Sequence, residues 1–205
     1  MSLKLQFTGD LSGVPTHAFG ARALTWWGTL AFMVIEGAAF AMAFAAYFFI
    51  MSVEDSWPPE ARARPDLFAG TLFTVLILAS EYPNAKIKKA AEKYDLETVR
   101  RLLPLMAGIG IALLVVRVFE FPSLNVSWTD NAYGSILWAL LFLHTLHIVT
   151  DWGDTAVLAA LSHTSDGEEP RRMVDISENS LYWRFVWLSW LPIYVLIYWL
   201  PRWAA

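Results

Sequence analysis

The chain has 205 residues, no cysteine and a formal net charge of −4. Apolar residues make up 57% of it and charged ones 17%, with a mean hydropathy of +0.44, a balance that suits a polytopic membrane protein and not an average soluble domain. The lack of cysteine excludes disulfides, thiolate metal sites and a thiol nucleophile, and no basic tail is present to hold nucleic acid.

The first 25 residues contain no apolar core followed by a cleavage site, so they read as an N-terminal arm and not as a removable signal peptide. Trp26 to Met51 is apolar apart from Glu36 near its middle. At about 1.5 Å per residue it is long enough to cross a hydrocarbon layer of about 30 Å. Gly37, Ala41 and Ala45, and again Ala39 and Ala43, recur at four-residue spacing, which lets a second helix approach closely. Pro58, Pro59 and Pro65 then stop the helix.

Leu67 to Ser80 offers only 14 uncharged residues, short for a crossing. A second span, about 66–85, exists only if Glu81 and the turn after it also enter the membrane. A basic segment from Lys86 to Arg101 follows. The third span, 102–121, carries Arg117 and Glu120. The fourth, 132–161, is long enough to protrude. The fifth, 181–203, contains Pro192 and five of the eleven tryptophans, with Trp183 and Trp203 near its ends as an aromatic belt would place them. The whole chain thus reads as a single all-α membrane domain.

Five spans with the N-terminus inside put ten Lys and Arg residues in inside segments and three outside, with Arg184 at the boundary, in keeping with the positive-inside rule. Four spans with the N-terminus outside give eleven against three, so charge alone leaves the topology open. No soluble catalytic domain, phosphate-binding glycine loop or internal repeat is evident.

On the fourth span, His144, His147, Asp151 and Asp154 fall within an arc of about 80° on one helical face. Such a set could bind zinc. It could equally be a polar stripe packed against neighbouring helices, the reading favoured by the absence of an obvious partner ligand elsewhere. Two histidines three residues apart cannot take opposite axial positions on one haem iron. Arg117 and Glu120, at i and i+3, have the reach of an intrahelical ion pair near the outer interface. Glu36 has no local partner, so it must be held neutral or meet a histidine or a cation from another helix. A proton-coupled transporter would use Glu36 and the histidine stripe as a relay, but its discontinuous helices or inverted repeat are not visible.

Several motifs, in order, resemble subunit III of haem-copper cytochrome c oxidases. "YWRFVWLSWLPIYVLIYW" resembles the family's last helix, "TDNAYGS" at 129–135 its Asp-x-x-Tyr-Gly-Ser turn, and "HTLH" at 144–147 its His-x-x-His. Glu120 stands for the glutamate of its Gln-x-x-Glu-Tyr, and Glu36 falls where the family has a midmembrane carbodiimide-reactive glutamate. "WPP" at 57–59 and "LASE" at 78–81 follow in register. The resemblance implies that the second span crosses, giving the short five-helix bacterial form with the N-terminus inside, in a bacterial inner membrane.

It further implies a non-redox core subunit of a proton-pumping terminal oxidase. Such a subunit stabilises the catalytic subunit and supports proton uptake. It carries no haem, copper or other metal of its own; those lie in partner subunits I and II, and bound phospholipid is expected. On this reading Glu36, Arg117, Glu120, His144, His147 and Asp151 are buried polar residues, and the two histidines pair with carboxylates of neighbouring helices. An equivalent subunit of a quinol oxidase or nitric oxide reductase is the nearest alternative. The chain departs from the family pattern at Arg117 (usually Gln), Phe121 (Tyr), Thr145 and Asp151 (Gly), Arg184 (His) and Trp187 (Asp).

Overall fold

The computed structural model describes residues 17–59 and 63–204, and among these every regular element is helical. Five long helices follow one another: α1 (Leu24–Val53), α2 (Leu67–Glu92), α3 (Leu96–Glu120), α4 (Ala132–Ser162) and α5 (Pro170–Tyr194). α5 runs on through a π-helical turn, Val195–Trp199, into α6, Leu200–Trp203. Pro192 and Pro201 each remove an amide donor from this rod, and the π turn between them is where its hydrogen-bond ladder readjusts.

Short connections fix the directions. The α2–α3 turn is residues 93–95, with Tyr94 at φ 58°. Asp95 caps α3 by accepting from Thr98 N at 3.1 Å and Thr98 Oγ1 at 2.6 Å. At the opposite end, Asp66 N donates to Ser123 O at 2.8 Å, so α2 begins beside the point where α3 ends. The two helices therefore lie antiparallel along their whole length. Residues 163–169 reverse the chain again between α4 and α5, and all five helices alternate in direction. The proximal end of the bundle carries the start of α1, the α2–α3 turn and the α4–α5 connection. At the distal end, Tyr47 Oη donates to Leu196 O at 2.6 Å and Arg202 Nη2 to Pro65 O at 2.6 Å.

α1, α3, α4 and the α5–α6 rod are each long and apolar enough to cross a membrane. α1 lies at the edge, with only Phe40 and Tyr47 buried and with Ile35, Met42 and Phe49 exposed. Of its small residues, Gly37 lies against Phe185 and Ala43 packs on the core, whereas Ala41 and Ala45 are exposed. The tight approaches are elsewhere: a Cβ on Gly70 would overlap the Tyr198 ring, and one on Gly110 the Trp152 indole.

α2 is longer than expected and has no apolar run to match those of the other long helices, for a physical reason. The adjacent Ser80 and Glu81, then Asn84 and Lys88 each about one turn further on, face α5 and are used there. Ser80 Oγ accepts from Trp183 Nε1 at 2.8 Å, and Glu81 Oε1 accepts from Arg184 Nε at 2.8 Å. Asn84 Nδ2 donates to Ser180 O at 3.0 Å, and Lys88 Nζ to Ser177 Oγ at 2.8 Å.

The same pairing explains where the expected fifth span falls short. The helix begins at Pro170, not near 181, because its polar first turns are buried against α2 and α4. Trp183 is likewise no belt residue: it is buried, with its indole donating to Ser80.

Candidate functional site: buried polar networks between the helices

The distal network centres on Arg117. One turn of α3 brings Arg117 Nη1 within 2.6 Å of Glu120 Oε2, and both side chains are buried. Tyr198 from the π turn donates to the other carboxylate oxygen, Glu120 Oε1, at 2.7 Å. The guanidinium lies over Phe73 of α2 and Trp190 of α5, at 3.8 and 4.5 Å from the ring centroids. Desolvated cation–π contacts of this kind are worth about 2 kcal/mol or more, which helps offset the cost of burying the charge.

Arg117 Nη2 also meets His144 Nδ1 at 2.9 Å, and His144 Nε2 lies 2.9 Å from Val186 O. A guanidinium can only donate and a carbonyl can only accept. Nδ1 is therefore the acceptor and the ring hydrogen sits on Nε2. His144 thus pairs with an arginine and a backbone carbonyl, not with the neighbouring carboxylate that was expected, because its side of α4 faces α3 and α5.

His147 points instead toward α1. Its Nδ1 donates to Leu143 O at 2.6 Å, which leaves Nε2 buried and without a hydrogen bond, 3.4 Å from Glu36 Oε1. Phe40 lies over the imidazole with ring centroids 4.8 Å apart. The second oxygen of Glu36 accepts from Tyr182 Oη at 2.7 Å. Tyr182 was not singled out in the sequence, although it stands in the "YWRF" motif.

Toward the proximal end the stripe continues with Asp151, which is buried, and Asp154, which is exposed. Asn179 Nδ2 is shared between them, at 3.3 Å from Asp151 Oδ1 and 3.1 Å from Asp154 Oδ2, while Thr155 Oγ1 donates to Asn179 Oδ1 at 3.1 Å. Glu178, also unremarked in the sequence, is buried next to them, with Thr29 of α1 and Lys88 of α2 acting on its carboxylate. Among the described residues no three His, Cys, Asp or Glu side chains converge closely enough to hold a metal ion.

These features define a multi-pass helical membrane protein whose intramembrane polar residues are mostly spent on one another. Comparison with known proteins gives the class a family. The family model described as Cytochrome c oxidase subunit III matches residues 6–204, and the chain belongs to that family. It is 26% identical over 181 residues to cytochrome c oxidase subunit 3 of Synechocystis, covering 87% of this chain and 77% of that protein. Against the protein of that name from Thermostichus vulcanus it is 25% identical over 177 residues, covering 85% and 87%. The probable cytochrome c oxidase subunit 3 of Mycobacterium bovis is 26% identical over 187 residues, covering 89% and 91%.

Proposed function

We propose that this chain is the non-redox third subunit of a proton-pumping haem-copper oxidase in a bacterial inner membrane. There it packs against the catalytic subunit, alongside a copper-bearing second subunit, steadies it, and supports proton uptake. The observation that carries the reading is the family match over nearly the whole chain, together with a distal polar network committed to internal pairing. Arg117, Glu120 and His144 hold α2, α3, α4 and α5 together, and among the described residues no metal-ligand set is left open. The lipid-facing shell, Phe32, Ile35 and Met42 of α1 with Val118 and Phe119 of α3, would be covered by neighbouring subunits and by phospholipid.

In this reading all five long helices cross, with the N-terminus inside. α2 lies antiparallel to α3 from Asp66 beside Ser123 to the turn at 93–95, so a membrane crossed by α3 is crossed by α2 as well. Its polar stripe faces α5 and not lipid, which is what hydrocarbon demands of such a helix. The proximal end then carries Arg22, Lys86, Lys89, Lys93, Arg100, Arg101, Arg171 and Arg172, the basic side that faces the cytoplasm.

The test is purification in mild detergent from native membranes through a tag on this chain. A haem-copper subunit, seen by its absorption spectrum, is expected to come with it. A haem-free preparation of this chain alone would overturn the assignment.

A further inference from the structure

The polar residues at the proximal end surround a cavity of about 550 Å³ between α1, α4 and α5. Gly28 and Thr29 form its α1 wall, Asp151 and Asp154 its α4 wall, and Glu178 and Tyr182 its α5 wall. The lining is mostly apolar, and its charged groups are four carboxylates, Asp151, Asp154, Asp175 and Glu178, against one guanidinium, Arg172. Arg172 at its rim pairs with Asp175 at 3.0 Å but keeps a buried Nε without a hydrogen bond, and Lys88 of α2 is held by Ser177 and by Glu92 at 3.0 Å.

Arg172 acts on Asp154 and Lys88 on Glu178, whereas Asp151 meets only the like charge of Asp154. Asp151 and Asp154 share a single amide donor, and Glu178, 6% exposed, has the Thr29 hydroxyl of α1 beside it. Buried carboxyl groups so sparsely paired call for water, and among the described residues no three His, Cys, Asp or Glu side chains stand close enough to chelate a metal ion. The chemistry that suits this space is therefore water carrying protons.

The inner end of the cavity leads to Glu36. Tyr182 lines the cavity and donates its hydroxyl proton to Glu36 Oε2 at 2.7 Å, and beyond it the free His147 Nε2 waits 3.4 Å from Glu36 Oε1. The groups recorded at Glu36 are thus His147 from α4 and Tyr182 from α5, with Asp151 of α4 acting on Tyr182; the α1 residues beside it, Ile35 and Gly37, do not titrate. We infer that the cavity is a proton vestibule that loads Glu36 from the proximal face through the Tyr182 hydroxyl.

In the transfer, Tyr182 passes its proton to Glu36 while its oxygen takes one from a hydrated proton in the cavity. One O–H bond breaks and one forms at the phenol, and Glu36 gains one proton. His147 Nε2 can then accept that proton in turn. The inference rests on the oxidase reading for its setting, but its geometry lies within this chain.

The experiment uses the intact complex isolated in mild detergent. The pH is jumped from 8.5 to about 6, and at set delays Glu36 is labelled by a short pulse of hydrophobic carbodiimide and quantified by peptide mass. Three variants are compared with the parent. Gly28→Trp plugs the cavity, at a position where a Cβ meets nothing within 4 Å. Tyr182→Phe removes only the relay hydroxyl, and Asp151→Asn removes a charge without changing shape.

Labelling of Glu36 is expected to rise promptly with acidification in the parent. It should rise at least tenfold more slowly in Gly28→Trp and Tyr182→Phe, and be slowed less in Asp151→Asn. A purely structural role for Tyr182 would change the final level of label and not the rate of approach. An unchanged rate in Tyr182→Phe overturns the relay whatever the plug does, and label that ignores pH in the parent overturns the vestibule. Haem content, recorded on the same samples, reports on the oxidase reading separately.

Discussion

Arg117 and Glu120 form an ion pair of 2.6 Å whose two side chains are almost wholly shut off from the surroundings, at 2% and 0% exposure. A pair buried this deeply adds little net stability, because desolvation offsets most of its Coulomb energy, yet removing one member leaves a bare charge and typically costs about 3–5 kcal/mol. Glu120→Leu leaves Arg117 charged between two aromatic rings and Tyr198 without its acceptor, so it should sharply reduce thermal stability and assembly. Arg117→Met combined with Glu120→Gln removes both charges, keeps an acceptor for Tyr198, and should recover most of the loss. Unfolding midpoints of the purified complex, read as a double-mutant cycle, measure the coupling. Independent, additive effects would mean that the two residues do not act as a pair.

The second prediction concerns topology. The chain has no cysteine, so single cysteines report cleanly on sidedness. Glu92 at the end of α2 and Thr129 in the α3–α4 loop are both exposed and lie at opposite ends of the bundle. Glu92→Cys should react with an impermeant maleimide only from the cytoplasmic face, and Thr129→Cys only from the other. Reaction of both from one side would remove α2 from the membrane and with it the alternating five-helix arrangement.

Asp95 gives a prediction in pH. Hydrogen bonds from the Thr98 side chain and backbone, assisted by Arg101, hold its carboxyl below the ordinary aspartate range. A depressed folded value means that the cap's contribution is fully present above the ordinary range and is lost as pH falls through the folded value. Asp95→Asn should therefore loosen the α2–α3 turn at neutral pH, and the difference from the parent should close as the pH is lowered past that range. Proteolysis or hydrogen exchange at residues 93–98 would follow it. A difference that persists unchanged in acid would assign the effect to shape and not to charge.

The apolar runs of α1 and α4 were legible in the sequence to within two residues and the end of α3 to within one, although α3 begins at Leu96 and not at 102. The i, i+3 pairing of Arg117 with Glu120 was legible as well, because both depend only on local periodicity. The start of α5 was not. Residues 170–180 are too polar to read as part of a span, and what buries them is a set of partners more than 80 residues away in α2. The phase of α4 could be read, but not its neighbours: His144 and His147 lie about 60° apart around the helix and about 4.5 Å apart along it, enough for one to meet Arg117 and the other Glu36. Tyr182 and Glu178 were missed for a similar reason. Neither is unusual as a residue until the fold places Glu36 and a cavity next to it.

The last prediction is that Glu36 modulates turnover without taking part in oxygen chemistry. Its side chain is 16% exposed and is held by the Tyr182 hydroxyl, with His147 on its other side. Glu36→Gln keeps the shape and still offers an oxygen to Tyr182, so assembly and the haem spectrum should be unchanged while carbodiimide labelling at this position disappears. Glu36→Ala removes the acceptor, leaves Tyr182 unpaired and opens a void beside Phe40. An unpaired buried hydroxyl costs about 1–3 kcal/mol, so this variant should release the chain from its complex more readily in detergent. In Glu36→Gln, oxygen consumption should fall modestly or decline with repeated turnover, because proton supply and not electron transfer is affected. Side-by-side measurement of oxygen uptake, proton release and the haem spectrum checks it. Complete loss of oxygen reduction in a fully assembled Glu36→Gln complex with normal spectra would place this carboxylate in the chemistry itself.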